Sequence, residues 1–317
     1  MKYTSNIFHT TKRELYYQWH SNKIIIVFLL LVALSILHIV GLYNNVISRY
    51  HIYKITENSY IENDIDIIEA LEKPSDINVE GNKELFINNP LKGDFVNLAI
   101  SIQNLKPQNV IENTLEYIIF IFCTLLFGIY ACYVATYDFK HKTYKFTSVY
   151  SSQRNIIMGK MLSVIIVMIF TLAVALLVAL IGSFIVNYLV ASHIPVEKYD
   201  LAVFNYEQRT LLQILLSILI VCFYIIIGYT IAFLLKSMAI PTIAMLLYGL
   251  YVPILGAYDF SNIFSYFSHK IFTFTARFVM FEPKPINEVI GITIPIISAI
   301  MLLKTTYVIA IKRSSYN

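Results

Sequence analysis

Six stretches of apolar residues, each long enough to cross a bilayer, constrain this chain more than any other feature. They cover 24–43, 115–137, 161–190, 211–235, 238–257 and 289–310. A helix rises about 1.5 Å per residue and the hydrocarbon core is about 30 Å thick, so about 20 residues make one crossing. Of the 24 basic and 20 acidic residues, only Glu116 and Lys304 fall inside the six stretches. A water-soluble helix carries its charges on one face along its length instead of excluding them for 20 residues. The expected fold class is therefore all-α: a polytopic membrane protein with six transmembrane helices. The composition, 57% hydrophobic and 14% charged, agrees. It excludes a disordered or collagen-like chain and an ordinary soluble enzyme. A net charge of +4 gives no reason to expect a nucleic-acid partner.

The first stretch follows a 23-residue polar leader and ends in Gly41-Leu42-Tyr43-Asn44, without a small-x-small cleavage site. It reads as a retained span, not a signal peptide. Orientation follows from Lys and Arg. With both termini in the cytoplasm, the inner side holds 13 basic residues against Glu14 and Asp138. The outer side then holds 11 basic against 18 acidic residues. The inner loops are also the shorter ones, so the positive-inside rule selects this orientation.

The segments between spans carry their own patterns. Residues 1–23 read as a cytoplasmic amphipathic helix, with Ile7, Thr11, Leu15 and Trp19 on one stripe and Lys12 and Arg13 off it, suited to the inner membrane interface. Residues 44–114 form the largest outer piece, a loop or small cap interrupted by Pro74, Gly81, Pro90, Gly93 and Pro107. The inner loop 138–160 is basic, yet Tyr144, Phe146, Val149 and Tyr150 give it an apolar side; such aromatics suit a docking surface or anchoring at the headgroups. Residues 191–210 are an outer loop, and 311–317 a cytoplasmic tail. Spans four and five are joined by Leu235-Lys236-Ser237-Met238, which demands a tight hairpin. In 258–288, Phe260, Phe264, Phe267, Ile271, Phe274, Phe278 and Phe281 step by three and four, which predicts outer interfacial helices sharing one apolar face, ended by Pro283 and Pro285.

Catalytic signatures are missing. Gly159-Lys160 has no glycine at 154 and is followed by Met161, so there is no P-loop, and no HExxH occurs. Cys123, Cys132 and Cys222 lie in apolar stretches with no metal-ligand spacing. His38, Glu116 and Lys304 read as residues near the membrane interfaces, Lys304 snorkelling toward the inner one. No enzymatic site, cofactor site or metal site is expected in this chain.

The order of parts resembles the permease subunit of bacterial ABC transporters of the ABC-2, type V exporter-like, class. The resemblance is most specific in Thr11-Lys12-Arg13-Glu14-Leu15 before span one and in the 138–160 loop. There Asp138, Thr143, Arg154 and Gly159-Lys160 look like the family pattern; Lys142 stands where glycine is usual, and Tyr150-Ser151 where proline is common. The resemblance implies an exporter in a bacterial cytoplasmic membrane, moving an amphipathic, peptide, antibiotic or lipid-like cargo. A separate cytosolic P-loop ATPase subunit would bind ATP and Mg and dock on a coupling helix formed by Tyr144, Lys145, Phe146, Val149, Tyr150 and Arg154. The N-terminal helix with Lys12, Arg13, Leu15 and Trp19 would lie at the inner interface, and Phe264, Phe267, Phe274 and Phe278 at the outer one. A second permease copy or a related permease would complete the path. Without an ATPase, the same layout would suit an ion-coupled carrier or channel, or a non-transporting immunity or anchor protein.

Overall fold

The computed structural model describes residues 6–74, 77–80, 83–86, 89–122, 124–199, 209–250, 255–276 and 280–315. These residues are helical apart from one antiparallel hairpin, β1 (Ile77–Glu80) and β2 (Lys83–Phe86), in which Ile77 faces Phe86. The helices are α1 (Ile7–His20), α2 (Lys23–Glu62), α3 (Ile67–Glu72), α4 (Pro90–Leu105), α5 (Pro107–Leu115), α6 (Ile129–Lys140), α7 (Tyr144–Tyr150), α8 (Gln153–His193), α9 (Thr210–Leu235), α10 (Ala239–Leu250), α11 (Phe260–Ser268) and α12 (Glu288–Ser315).

Two long helices set the frame. α2 has 40 residues and α8 has 41, each about 60 Å long. Gln18, just before α2, reaches Ser163 of α8, and Ile39 lies against Gly182, so the two run side by side in the same direction. α2 continues well past residue 43: no glycine or proline interrupts the chain between Leu42 and Pro74. The first part of the expected 44–114 loop is thus a rigid extension of span one. Val46, Tyr50 and Tyr53 of that extension pack with Leu91, Leu98 and Leu105 of α4, and with Ala179 and Val190 of α8. The result is a cap with its own apolar core. Two side chains of α8 close it: Ser183 Oγ and Asn187 Nδ2 each donate to the Leu105 carbonyl at 2.7 Å.

Four helices are long and apolar enough to cross a membrane: α2, α8, α9 and α12. A fifth span results if Pro107–Phe122 and Leu126–Lys140 are taken together; they are bent by 61°. This corrects the single straight helix expected at 115–137. Between α5 and α6 the chain winds as π-helix, over Glu116–Phe122 and Thr124–Gly128. Glu116 opens that stretch and is fully buried, not placed at an interface. α10 has 12 residues, so the expected 20-residue fifth span is not seen as one helix; its remainder includes 251–254, outside the described residues. α9 and α6 approach closely where glycines permit it: a Cβ on Gly228 would stand 2.7 Å from the Gly128 carbonyl oxygen.

The segment after α10 also departs from expectation. Its helix α11 covers only Phe260–Ser268, begun by the Asp259 carboxylate capping the Ser261 N–H. A turn follows and then irregular chain, so the stripe of phenylalanines is not one continuous helical face. Phe264 and Phe267 are half-buried, Phe274 is buried in a non-helical conformation with φ +50°, and Phe278 lies outside the described residues. The side of α11 turned most deeply inward is polar, with Asn262, Ser265 and Ser268 buried beside Ile263. Asn262 holds the chain beyond, donating to the Lys284 carbonyl and accepting from the Lys284 N–H.

Candidate functional site

The two segments singled out in sequence, around Thr11–Leu15 and 138–160, come together at one end of the molecule. α1 lies across the beginning of α8. Its contact face is polar: Thr10, Thr11, Glu14 and Gln18 are buried. Thr10 reaches α8 at Gly159, where an added Cβ would stand 2.8 Å from the Thr10 methyl carbon. Any larger residue at 159 therefore lifts α1. The expected stripe is divided: Thr11 is buried, Ile7 and Leu15 are half-buried, and Trp19 is 58% exposed. Lys12 is exposed and Arg13 half-buried. Phe8, Tyr16 and Tyr17 also point outward.

Lys160 forms the centre of this junction. It sits one residue past Gly159 and is 2% exposed. Its Nζ lies 2.9 Å from Asp138 Oδ2 and 3.8 Å from Glu14 Oε2, and donates to the Val134 carbonyl at 3.4 Å. One ammonium thus ties α1, α6 and α8 together. Arg13 Nη2 approaches Glu14 Oε1 at 3.5 Å. Burial pushes the Glu14 carboxyl above its ordinary value, against the lowering effect of Lys160. Beside this charge cluster runs a neutral chain: Tyr130 OH donates to Gln18 Oε1 at 2.7 Å, Gln18 Nε2 to Ser163 Oγ at 2.6 Å, and Ser163 Oγ to the Lys160 carbonyl at 2.7 Å.

The link from α6 to α8 starts at the same acid. Thr143 donates its N–H to the Asp138 carbonyl at 2.9 Å and its hydroxyl to Asp138 Oδ1 at 3.1 Å. Lys142, at φ +56°, makes the turn, and α7 follows as a two-turn helix. Tyr144 faces the bundle: its ring lies 4.8 Å from that of Phe139 and 6.0 Å from that of Phe233, and its hydroxyl bonds the Gln153 side chain. Phe146 and Val149 face away, 70% and 79% exposed. The side chains of Lys145 and Tyr150 lie outside the described residues. Ser152 then caps α8, accepting from the Asn155 N–H at 3.3 Å. Arg154 is exposed and, with Ile157, Met158, Leu303 and Tyr307, lines an open cleft of about 200 Å³ between α8 and α12.

No family model, curated protein or solved structure matches this chain. Among the described residues no three of His, Cys, Asp and Glu are grouped to hold a metal ion.

Sequence reading placed Lys160 in the family-like pattern with Gly159 but did not foresee that it would be buried. It lies in a basic loop, where lysines are ordinarily solvated. The signal was its spacing from Gly159, which admits α1. His38, expected near an interface, is buried and stacks on Tyr117 at 4.8 Å. Lys304 is exposed on α12.

Proposed function

We propose that this chain is the membrane-spanning subunit of an ATP-driven exporter, with six crossings, cytoplasmic termini and a separate ATPase subunit. The observation that carries the reading is α7. A two-turn helix stands between α6 and the membrane-length α8 and offers Phe146 and Val149 to a partner, while Tyr144 and Thr143 tie it to the bundle. Paired apolar side chains on a short, well-held helix make a plug for a socket on a soluble protein. A push on α7 reaches Asp138 through Thr143, then Lys160, and so both α1 and the whole length of α8. α8 continues into the cap, so the same rod ends in the apolar cluster at the far end. ATP and Mg belong to the partner, and a second permease copy or a related permease would complete the translocation path. Cargo of amphipathic, peptide, antibiotic or lipid-like character follows from the family resemblance alone.

The test is affinity isolation of the tagged chain from its host in mild detergent, with ATPase activity measured on the isolate. Co-isolation of a P-loop ATPase is expected. It should fall at least about tenfold in the double change Phe146→Ala and Val149→Ala, the effect of losing about 1.4 kcal/mol of docking energy. Isolation of the chain without an ATPase, or unchanged association in that variant, would overturn the reading.

A further inference from the structure

At the end opposite α1, a second pair of acids is buried. Glu112 of α5 and Glu116, which opens the π-helical stretch, are one turn apart and are 7% and 0% exposed. Both hold the segment that follows α11. Glu112 Oε1 accepts from the Thr273 N–H at 2.8 Å and from its hydroxyl at 3.0 Å, and Glu116 Oε1 accepts from the Phe274 N–H at 2.9 Å. Neighbours pin the same strap: Gln213 Nε2 donates to the Ile271 carbonyl at 3.1 Å, and Asn104 Nδ2 to the Thr275 carbonyl at 2.9 Å. The Phe272 and Phe274 rings pack on Phe120 at 5.5 and 5.3 Å, with Phe274 in the left-handed region that bulky residues rarely adopt. The strap is therefore held in a conformation that its own backbone does not favour.

The second oxygen of Glu116, Oε2, is fully buried and has no hydrogen-bond partner among the described residues. Titratable groups on the surrounding elements give it little help. α5 contributes Glu112, a like charge, and Lys106 lies beyond its start. α2 brings His38, stacked on the adjacent Tyr117; α9 brings Arg209, whose guanidinium holds the Lys270 carbonyl at 3.0 Å. On the strap side, Lys270 is paired with Glu288 and the His269 ring lies 4.8 Å from that of Phe274. No salt bridge to Glu116 is present among the described residues. An ionised carboxylate with an unpaired buried oxygen and an acidic neighbour is costly, and a proton on that oxygen removes the cost.

We propose that Glu116 is a proton-binding site that latches the 271–275 strap onto the broken helix. With the proton on Oε2, Oε1 still accepts from Phe274 and the strap stays down. When the proton leaves Oε2 for water, a negative charge is left on a buried oxygen with no partner, and the strap lifts to let water reach it. The π-helical turn at Glu116 is a natural place for such a device, because irregular turns of this kind recur at functional positions in helices.

The experiment uses the full-length chain in detergent micelles and needs no ATPase, so its outcome is separate from that of the exporter reading. Cys123, Cys132 and Cys222 are changed to Ala, Ala276→Cys is introduced beside the strap, and labelling by a bulky polar maleimide is followed. Rates are divided by those of Glu62→Cys at the exposed end of α2, which removes the thiol's own pH dependence. Relative labelling at 276 should rise about tenfold as the pH is raised over the range in which the protein stays folded, the change expected when a latch opens on losing its proton. In Glu116→Gln, which keeps the Oε1 acceptor and cannot lose a proton, it should stay low throughout. A flat response in the parent, or the same rise in Glu116→Gln, would overturn the proposal. Should the cysteine-free chain fail to fold, hydrogen exchange of the Thr273–Thr275 amides in the unaltered protein and in Glu116→Gln answers the same question, with the same two overturning results.

Discussion

At each end of this molecule a pair of acids is buried, and the two ends treat their pair differently. At the α1 end, Glu14 and Asp138 flank Lys160, so three chain segments are joined through a compensated cluster. At the cap end, Glu112 and Glu116 lie together with no ammonium or guanidinium paired to Glu116 among the described residues, and are met by backbone N–H groups of a strap. A lysine between two carboxylates makes a joint in which opposite charges meet directly. Two carboxylates facing main-chain donors make a contact that depends on a proton. The first arrangement suits the transmission of force, and the second suits release.

The largest effect expected from breaking this contrast comes from Lys160→Met. The side chain fits, but Glu14 and Asp138 are left buried without their counter-charge. Removing one member of a buried pair costs about 3–5 kcal/mol. Thermal unfolding of the purified protein should show that loss, and the added change Asp138→Asn should recover part of it. A loss below about 1 kcal/mol would mean that the junction is no more than a surface pairing.

A smaller effect is expected from pH at the same junction. Burial raises the Glu14 carboxyl, so the docked α1 binds a proton more tightly than the released helix does. Docking is therefore strongest below the ordinary carboxylate range. It weakens as pH rises through the raised value and levels off above it. Trp19 is the chain's one tryptophan and lies on α1, so its fluorescence reports the docking. The titration should flatten in Glu14→Gln; persistence of the same step in that variant would assign it to another group.

The smallest effect sharpens the comparison most. Glu116→Gln at neutral pH should change stability by less than about 1 kcal/mol, because the amide keeps an acceptor for the Phe274 N–H and carries no charge. The same measurement that registers Lys160→Met as a large loss should hardly register Glu116→Gln. A loss of about 3 kcal/mol or more would show that Glu116 is ionised and compensated, and that the two ends are alike after all.

Long apolar stretches were legible from the sequence because each one must be satisfied by a single local structure, the helix. α9 and α12 begin and end within a few residues of the expected spans, apart from the tail of α12. Irregular structure was not legible. The π-helical winding at 116–128 has no local signature, since its apolar residues fit an ordinary helix equally well. The step of three and four through Phe260–Phe281 met a helix template, yet Phe272 and Phe274 are anchored individually by Phe120, and the chain follows those contacts in place of its own period. In the candidate site, Phe146 and Val149 stood out by composition, whereas the inward turn of Tyr144 depends on Phe139 and Phe233, distant or unaligned in sequence.

By itself, then, the sequence determined the solvent for which this chain is built, its helical class and the clustering of its charges outside the apolar stretches, because those properties are sums over local residues. Only the tertiary structure decided that Lys160 of a basic loop becomes a buried joint, that Glu116 becomes an unpaired buried acid, and that the polar half of α2 stiffens a cap. Each of these depends on which surfaces meet. Whether a charge is solvated, compensated or left to hold a proton is set by neighbours that lie 22 residues away in one case and 158 in another, as in Lys160 with Asp138 and Phe274 with Glu116.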